Sequence, residues 1–292
     1  MPSYRTCTEV SPICPVEATT YGYYPNLGGN IFFAVFFGIL ALFQLGIGIY
    51  YRTWTFMVGV AAGAILELAG YIGRIQMHSN PWNSSAFKLQ IVCLVLAPTF
   101  VAAGIYLTLK HIILALGPEH SRLKPQLFTW IFIGCDVGSL ILQAAGGGVA
   151  AAAGSTDRKL LQAGDDIIIT GIAFQVATMS VCGLLGLEFF IRYWRRGPGF
   201  ASEKTLTSLG RNIKWVIVAE VLAYFTVLIR CVYRHRISIP EMAGGWGNPL
   251  MQKEDEFLVL DGMMIAVAIL ALTILHPGFF FGSIRKGPKN QV

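Results

Sequence analysis

Residues 27–51 read LGGNIFFAVFFGILALFQLGIGIYY, twenty-five positions without a charged side chain. A helix rises about 1.5 Å per residue and a bilayer's hydrocarbon layer is about 30 Å thick, so about 20 apolar residues make a span. Six further stretches have the same character: Trp54–Gly73, Ala86–Leu116, Gln126–Gly154, Gly164–Ile191, Arg211–Val232 and Phe257–Gly282. The third has room for a tilted helix and a turn, and the fourth runs out through Gly146-Gly147-Gly148 into alanines. Across all 292 residues, 54% are apolar and 13% charged, with a mean hydropathy of +0.59. A soluble surface needs roughly a quarter to a third of its residues charged. A soluble enzyme and a disordered regulator are both excluded. The expected fold is all-α, a polytopic membrane protein built as a seven-transmembrane-helix bundle. It comprises an N-terminal tail (1–26), a transmembrane domain (27–282) and a C-terminal tail (283–292).

The tail before the first span has no continuous apolar core of the cleaved-leader kind, so the first helix is expected to insert as its own signal. With the N-terminus outside, thirteen Lys and Arg fall on the inner side and nine on the outer. The bias is strongest at Arg192, Arg195 and Arg196, after the fifth span. The positive-inside rule then puts the N-terminus outside and the C-terminus in the cytosol. The net charge of +6 reads as this orientation signal, not as a nucleic-acid footprint. Two features agree with it. Asn83-Ser84-Ser85 is a glycosylation sequon in an outer loop, and Cys7 and Cys14 share the outer tail, where a disulfide can form.

Ionised groups at mid-bilayer cost about 2.5–3.5 kcal/mol on insertion scales, so each needs a reason to be there. Five carboxylates lie in the spans: Glu67, Asp136, Glu188, Glu220 and Asp261. Glu188 has Arg192 four residues on and reads as an interfacial ion pair. Asp261 is near the outer edge of the seventh span, within reach of water. Glu67, Asp136 and Glu220 are deeper. Glu67 and Arg74 are seven apart and share a helix face, a spacing that Asp136 and Gln143 repeat. Gln90 and Tyr106 add polar atoms to the third span, whose Pro98 can bend it and free a carbonyl. Arg230, Tyr233 and Arg234 crowd the outer end of the sixth. Two readings fit: a buried hydrogen-bond network that pins the helices, or a polar cleft that accepts a head group while the helices hold an acyl tail. Net acidity in such a cleft favours a cationic amphiphile such as a sphingoid base. Gly59-x-x-x-Gly63 allows close approach of another helix, from the same chain or from a second copy in a homo-oligomer.

The sequence has no phosphate-binding loop, no Gly-x-Ser-x-Gly elbow and no His-Glu-x-x-His helix. No cofactor is expected. A zinc hydrolase of seven-helix type needs about three ligands at one end, and His111, His120 and His276 meet only if His120 folds back. No metal site is expected, and no catalytic residue.

Several segments, in order, carry a resemblance. They are Tyr24-Pro25 with Asn30; Glu67-Leu-Ala-Gly70-Tyr71-Ile-Gly73-Arg74; Gln90, Ala97-Pro98 and Tyr106; Asp136-Val-Gly-Ser-Leu-Ile-Leu-Gln143 running to Gly148; Arg230-Cys-Val-Tyr233-Arg234; Glu254 with Asp261; and His276-Pro277-Gly278. On these the chain resembles the fungal RTA-like family of lipid-translocating exporters, over about residues 21–280. The resemblance implies a seven-helix plasma-membrane protein linked to sphingoid-base export and resistance to membrane-active compounds. The chain departs from the family pattern at Ile237, where a glutamate is usual and Glu241 follows four residues on. It departs again between Glu254 and Asp261, where only Phe257 of the usual aromatics remains and Leu258 replaces a tyrosine.

The expected function is therefore translocation of a lipid or amphiphile, of sphingoid long-chain base or sterol-like type, with membrane lipids or amphiphilic small molecules as partners. Glu67, Arg74, Gln90, Tyr106, Asp136, Gln143, Glu220, Arg230, Tyr233, Arg234 and Asp261 are the candidate path residues. The alternative is a seven-helix receptor or sensor. Against it, the third span ends in Leu-Lys-His-Ile-Ile-Leu without an acidic-Arg pair, and the tail after the seventh is short.

Overall fold

A computed structural model describes residues 7–19, 21–153, 158–196, 212–244 and 253–278. Seven helices are long and apolar enough to cross a membrane. They are α1 (Leu27–Tyr51), α2 (Trp54–Ser79), α3 (Ser84–Leu116), α4 (Pro125–Ala153), α5 (Arg158–Arg196), α6 (Asn212–Gly244) and α7 (Glu254–Ile274). Short links force successive helices to reverse direction. Arg52, in the left-handed region with φ 53°, closes α1 and turns directly into α2. Sequential neighbours pack pairwise, α7 returns to α1, and α3 also touches α6, so the third helix runs inside the ring.

Several helices overrun the ends expected from hydropathy. α2 continues past Gly73 to Ser79, so Arg74 sits within the helix whose face it shares with Glu67. α3 starts at Ser84, capped by Asn83, whose side chain accepts from the Ser85 and Ala86 amides. α6 runs beyond Val232 and α7 begins at Glu254. For α2 and α3 the N-terminal tail is the cause: at this end of the bundle it folds over the helices and satisfies polar groups that hydropathy counts as solvent. The Cys14 carbonyl accepts from Trp82 Nε1 at 3.3 Å, and the Pro25 carbonyl meets His78 Nδ1 at 2.7 Å. Cys7 and Cys14 are joined, their Cα atoms 5.8 Å apart. The opposite end carries Trp54, Trp130, Trp194 and Trp215, exposed by 54%, 78%, 89% and 58%. Such a tryptophan belt marks a membrane–water interface. Between the two ends, Leu42, Ile141 and Leu184 are among many large apolar side chains left facing outward, as lipid contact requires.

Helices in lipid gain little from apolar burial and associate by close packing. The α2–α3 seam does this with glycine. A Cβ on Gly63 would lie 2.7 Å from Val101 and 3.2 Å from the Ala97 carbonyl, and one on Gly73 would lie 2.9 Å from the Ala86 carbonyl. Gly59 and Gly63 thus serve a contact inside the chain. The C-terminal tail 283–292, the linker Arg195–Lys204 beyond residue 196, the end of the seventh span and the side chains of Ile237 and Glu241 lie outside the described residues.

Candidate functional site

Three polar groups stack along the bundle axis, beginning at the tail end with Arg74. This side chain is 1% exposed and held on every side. Its Nη2 pairs with Glu254 Oε1 at 2.7 Å, its Nε donates to Asn30 Oδ1 at 2.9 Å, and Nη2 also reaches the Tyr23 hydroxyl at 3.4 Å. Phe257 lies under the guanidinium, 4.3 Å from ring centre to charge. Burial raises the Tyr23 phenol above its ordinary value even though Arg74 pulls the other way, so the hydroxyl stays neutral and accepts. Glu254 does a second job. Both its oxygens accept from the Asn26 amide, at 2.9 and 2.8 Å, placing a carboxylate on the positive end of α1. Gln90 belongs to the same layer and donates to the Tyr21 hydroxyl at 2.6 Å.

The second layer lies two turns further in. Arg230 on α6 is fully buried and contacts Glu67 on α2, Asp261 on α7 at 2.9 Å and the Leu94 carbonyl on α3 at 2.8 Å. That carbonyl is free because its helical partner four residues on is Pro98, which has no N–H. Arg234 shares Asp261 Oδ1 at 2.9 Å. A π-helical turn, Leu258–Met263, inserts Asp261 into this position. Asp261 is 0% exposed, so its place near the outer edge does not make it solvated. The lining helices close tightly here: Tyr71 stacks on Phe33 at 5.1 Å, and its hydroxyl presses on Gly262, leaving no room for a side chain there. Tyr233 is half-buried beside the two arginines on α6.

The third layer is different in kind. Asp136 on α4, 1% exposed, accepts from the Tyr106 hydroxyl on α3 at 3.0 Å, and its other oxygen has no hydrogen-bond partner. Glu220 on α6 is 4% exposed with neither oxygen bonded. The Cys182 thiol on α5 is buried as well, 1% exposed. Above Asp136, two turns along α4, Gln143 donates to Gln175 at 3.4 Å, and Gln175 donates to Thr99 at 3.1 Å, a polar row across α4, α5 and α3.

These layers revise the picture drawn from spacing. Glu67 and Arg74 share a helix face yet serve different partners on different layers. In the two upper layers Arg74, Arg230 and Arg234 match Glu254, Glu67 and Asp261 charge for charge, so the expected net acidity is absent there. Within this column, acidity remains around Asp136 and Glu220, to which no ion pair is made among the described residues. Glu188, at the tryptophan end, pairs with Arg192 at 2.5 Å and Arg122 at 3.1 Å. No set of three metal-ligating side chains gathers among the described residues. The partners that spacing could not find are Glu254, Asn30, Tyr21, Tyr23, Phe257, Thr99 and Gln175. Asn30, Glu254 and Phe257 stand in the segments that carry the family resemblance, and Asn30 is also flagged as a polar side chain in an apolar run; Tyr21 and Tyr23 carry no such signal.

A family profile described as RTA1 like protein matches residues 60–284. The sphingoid long-chain base transporter RSB1 of Saccharomyces cerevisiae is 33% identical over 287 residues, which cover 89% of this chain and 74% of that protein. Protoporphyrin uptake protein 1 of the same yeast is 30% identical over 223 residues, 76% of this chain and 68% of that one. Its protein RTA1 is 24% identical over 284 residues, covering 88% and 84% respectively. No solved structure matches the chain.

Proposed function

The chain belongs to the RTA1-like family, and from that premise we propose that it is a membrane translocator that moves a single-chain cationic amphiphile, of the sphingoid-base kind, from the inner to the outer leaflet of the plasma membrane, with its tail end outside. The reading makes it a transporter and not an enzyme: two of its relatives are named for transport and uptake, and among the described residues the polar groups are arranged as a column, without a nucleophile, base and orienting group gathered at one centre.

The observation that carries the proposal is Asp136. A carboxyl group buried between α3 and α4, with one oxygen fixed by Tyr106 and the other without a partner, is suited to receive an ammonium head group. The Gln143–Gln175–Thr99 row beside it offers amide and hydroxyl groups to the hydroxyls that such a head group carries. The upper layers are charge-matched and closed, and they read as the outer gate through which the head group leaves. Glu67, Arg230, Asp261, Arg234 and Arg74 then act as its bolts and not as ligands.

The test is flipping of a fluorescent sphingoid base and a fluorescent phospholipid in proteoliposomes. The expected result is flipping of the base by wild type and its loss in Asp136→Asn, which keeps the side-chain shape and leaves thermal unfolding unchanged. Flipping of neither lipid would overturn the reading and favour the sensor alternative. Equal flipping by Asp136→Asn would remove Asp136 from the path.

A further inference from the structure

Charge does not cancel at the tryptophan end as it does in the upper layers. Glu188 on α5 takes two guanidinium groups on one oxygen: Arg192, one turn along the same helix, at 2.5 Å, and Arg122, from the link between α3 and α4, at 3.1 Å. One carboxylate thus holds two arginines side by side, and a positive charge is left over. Arg195 continues the same face of α5, and Lys124 lies two residues beyond Arg122; both are exposed. The other acid of the link, Glu119, stands 3.7 Å from His120 Nδ1. The link is firmly seated. His120 is 5% exposed, its ring 6.0 Å from that of Tyr193 on α5, and Leu123 packs into the same apolar cluster as Tyr193. A guanidinium carries five N–H donors, and Glu188 meets one nitrogen of each fork, so donors remain for a second anion. On the adjoining face of α5 run Leu184, Leu187 and Ile191, exposed by 65%, 56% and 43%. Trp194 and Trp130 set the depth of the arginines at the membrane–water interface.

We infer that Arg122 and Arg192 form a binding site for the phosphate of an anionic phospholipid, whose acyl chains lie along Leu184, Leu187 and Ile191. Planar forks grip phosphate oxygens in pairs, which a point charge does not. The surplus of cations selects a head group of net negative charge. Phosphatidylcholine brings the same phosphate but cancels it with its own ammonium group. The apolar strip next to the arginines selects a lipid over a soluble anion or an acidic protein segment, neither of which covers it. With the tail end outside, as proposed above, this end meets the cytosolic leaflet, where anionic lipids are concentrated. A lipid bound here bridges the α3–α4 link to α5. The site lies apart from the Asp136 column, and it stands whether or not the chain flips a lipid.

The test is native mass spectrometry of the full chain in detergent, titrated with phosphatidylserine or phosphatidylcholine, which resolves each bound lipid. Wild type is expected to take up one phosphatidylserine saturably, at least about tenfold more tightly than phosphatidylcholine. The double variant Arg122→Lys/Arg192→Lys keeps every charge, and with it the pairing to Glu188, but loses both forks. It is expected to bind phosphatidylserine about tenfold more weakly and phosphatidylcholine as before. Lys88→Gln removes one exposed cation at the tail end and is expected to change neither constant. Phosphatidylserine binding no tighter than phosphatidylcholine overturns the site, and that comparison needs no variant. Wild-type affinity in the double lysine variant makes charge alone sufficient and overturns the assignment to the two guanidinium groups. Equal weakening by Lys88→Gln overturns the location. Competition by glycerophosphoserine, the same head group without chains, at matched concentration overturns the lipid in favour of a soluble anion.

Discussion

Replacing Arg230 with methionine removes the charge that joins four helices. The side chain is fully buried and makes contacts to Glu67, to Asp261 and to the Leu94 carbonyl. Asp261 keeps Arg234, but Glu67 is left ionised without a partner, and the Leu94 carbonyl, already denied an amide by Pro98, loses its only described donor. Breaking a buried pair from one side costs about 3–5 kcal/mol. The orphaned carbonyl adds about 1–3 kcal/mol on its own, less in combination because the two losses share one side chain. A total of about 5 kcal/mol follows, which for a chain of this size lowers the unfolding temperature by about 10–20 °C. The charge itself accounts for most of it. Glu67→Gln in the Arg230→Met background should therefore recover about 2 kcal/mol, since a neutral amide needs no counter-ion. Arg234→Met should cost only about 1 kcal/mol, because Arg234 is 26% exposed and Asp261 retains Arg230. The assay is thermal unfolding of purified protein in nanodiscs, read by tryptophan fluorescence and by recovery of monodisperse protein. An Arg230→Met loss below about 1 kcal/mol, or a double variant no more stable than the single, would refute the account of a charge network closed at Arg230.

Two further outcomes follow from the ends of the bundle. His276 is buried at the tryptophan end beside Thr53 and Phe56, and burial holds its imidazole down to about 4, below the ordinary 6.5. A folded-state value below the unfolded one means that the unfolded chain takes the proton first. This contribution is whole above about pH 6.5 and falls by about 3 kcal/mol as pH drops toward 4, so His276→Gln should flatten the stability-versus-pH curve in that window; parallel curves would contradict it. At the other end, Asn83 is both sequon and helix cap. Asn83→Asp should abolish any glycan-dependent mobility shift and keep stability, whereas Asn83→Ala should abolish the shift and cost about 1 kcal/mol through the lost cap. Equal stability of the two variants would sink the capping role.

What the sequence determined by itself was everything that depends on a local sum. Whether about 20 consecutive residues can cross a bilayer is settled by their own hydropathy, which is why seven spans, and the polar residues stranded inside them, were legible without coordinates. Pro98 was legible too, as a residue that frees a carbonyl. Helix ends were less so, because α2 and α3 extend where the N-terminal tail covers them, and tail cover is not a local property. Pairing was not legible at all. Glu67 and Arg74 share a face by spacing, yet Glu67 meets Arg230, 163 positions away, and Arg74 meets Glu254. Which helix faces meet is set by glycines that let α2 lie against α3, by the free Leu94 carbonyl that receives Arg230, and by the π-helical turn that carries Asp261 inward. Only tertiary structure could therefore separate, within the column, charges that cancel from Asp136 and Glu220, which no basic side chain meets among the described residues. The physical reason is range: hydropathy is summed along the chain, whereas electrostatic balance in a low-dielectric interior is decided across it.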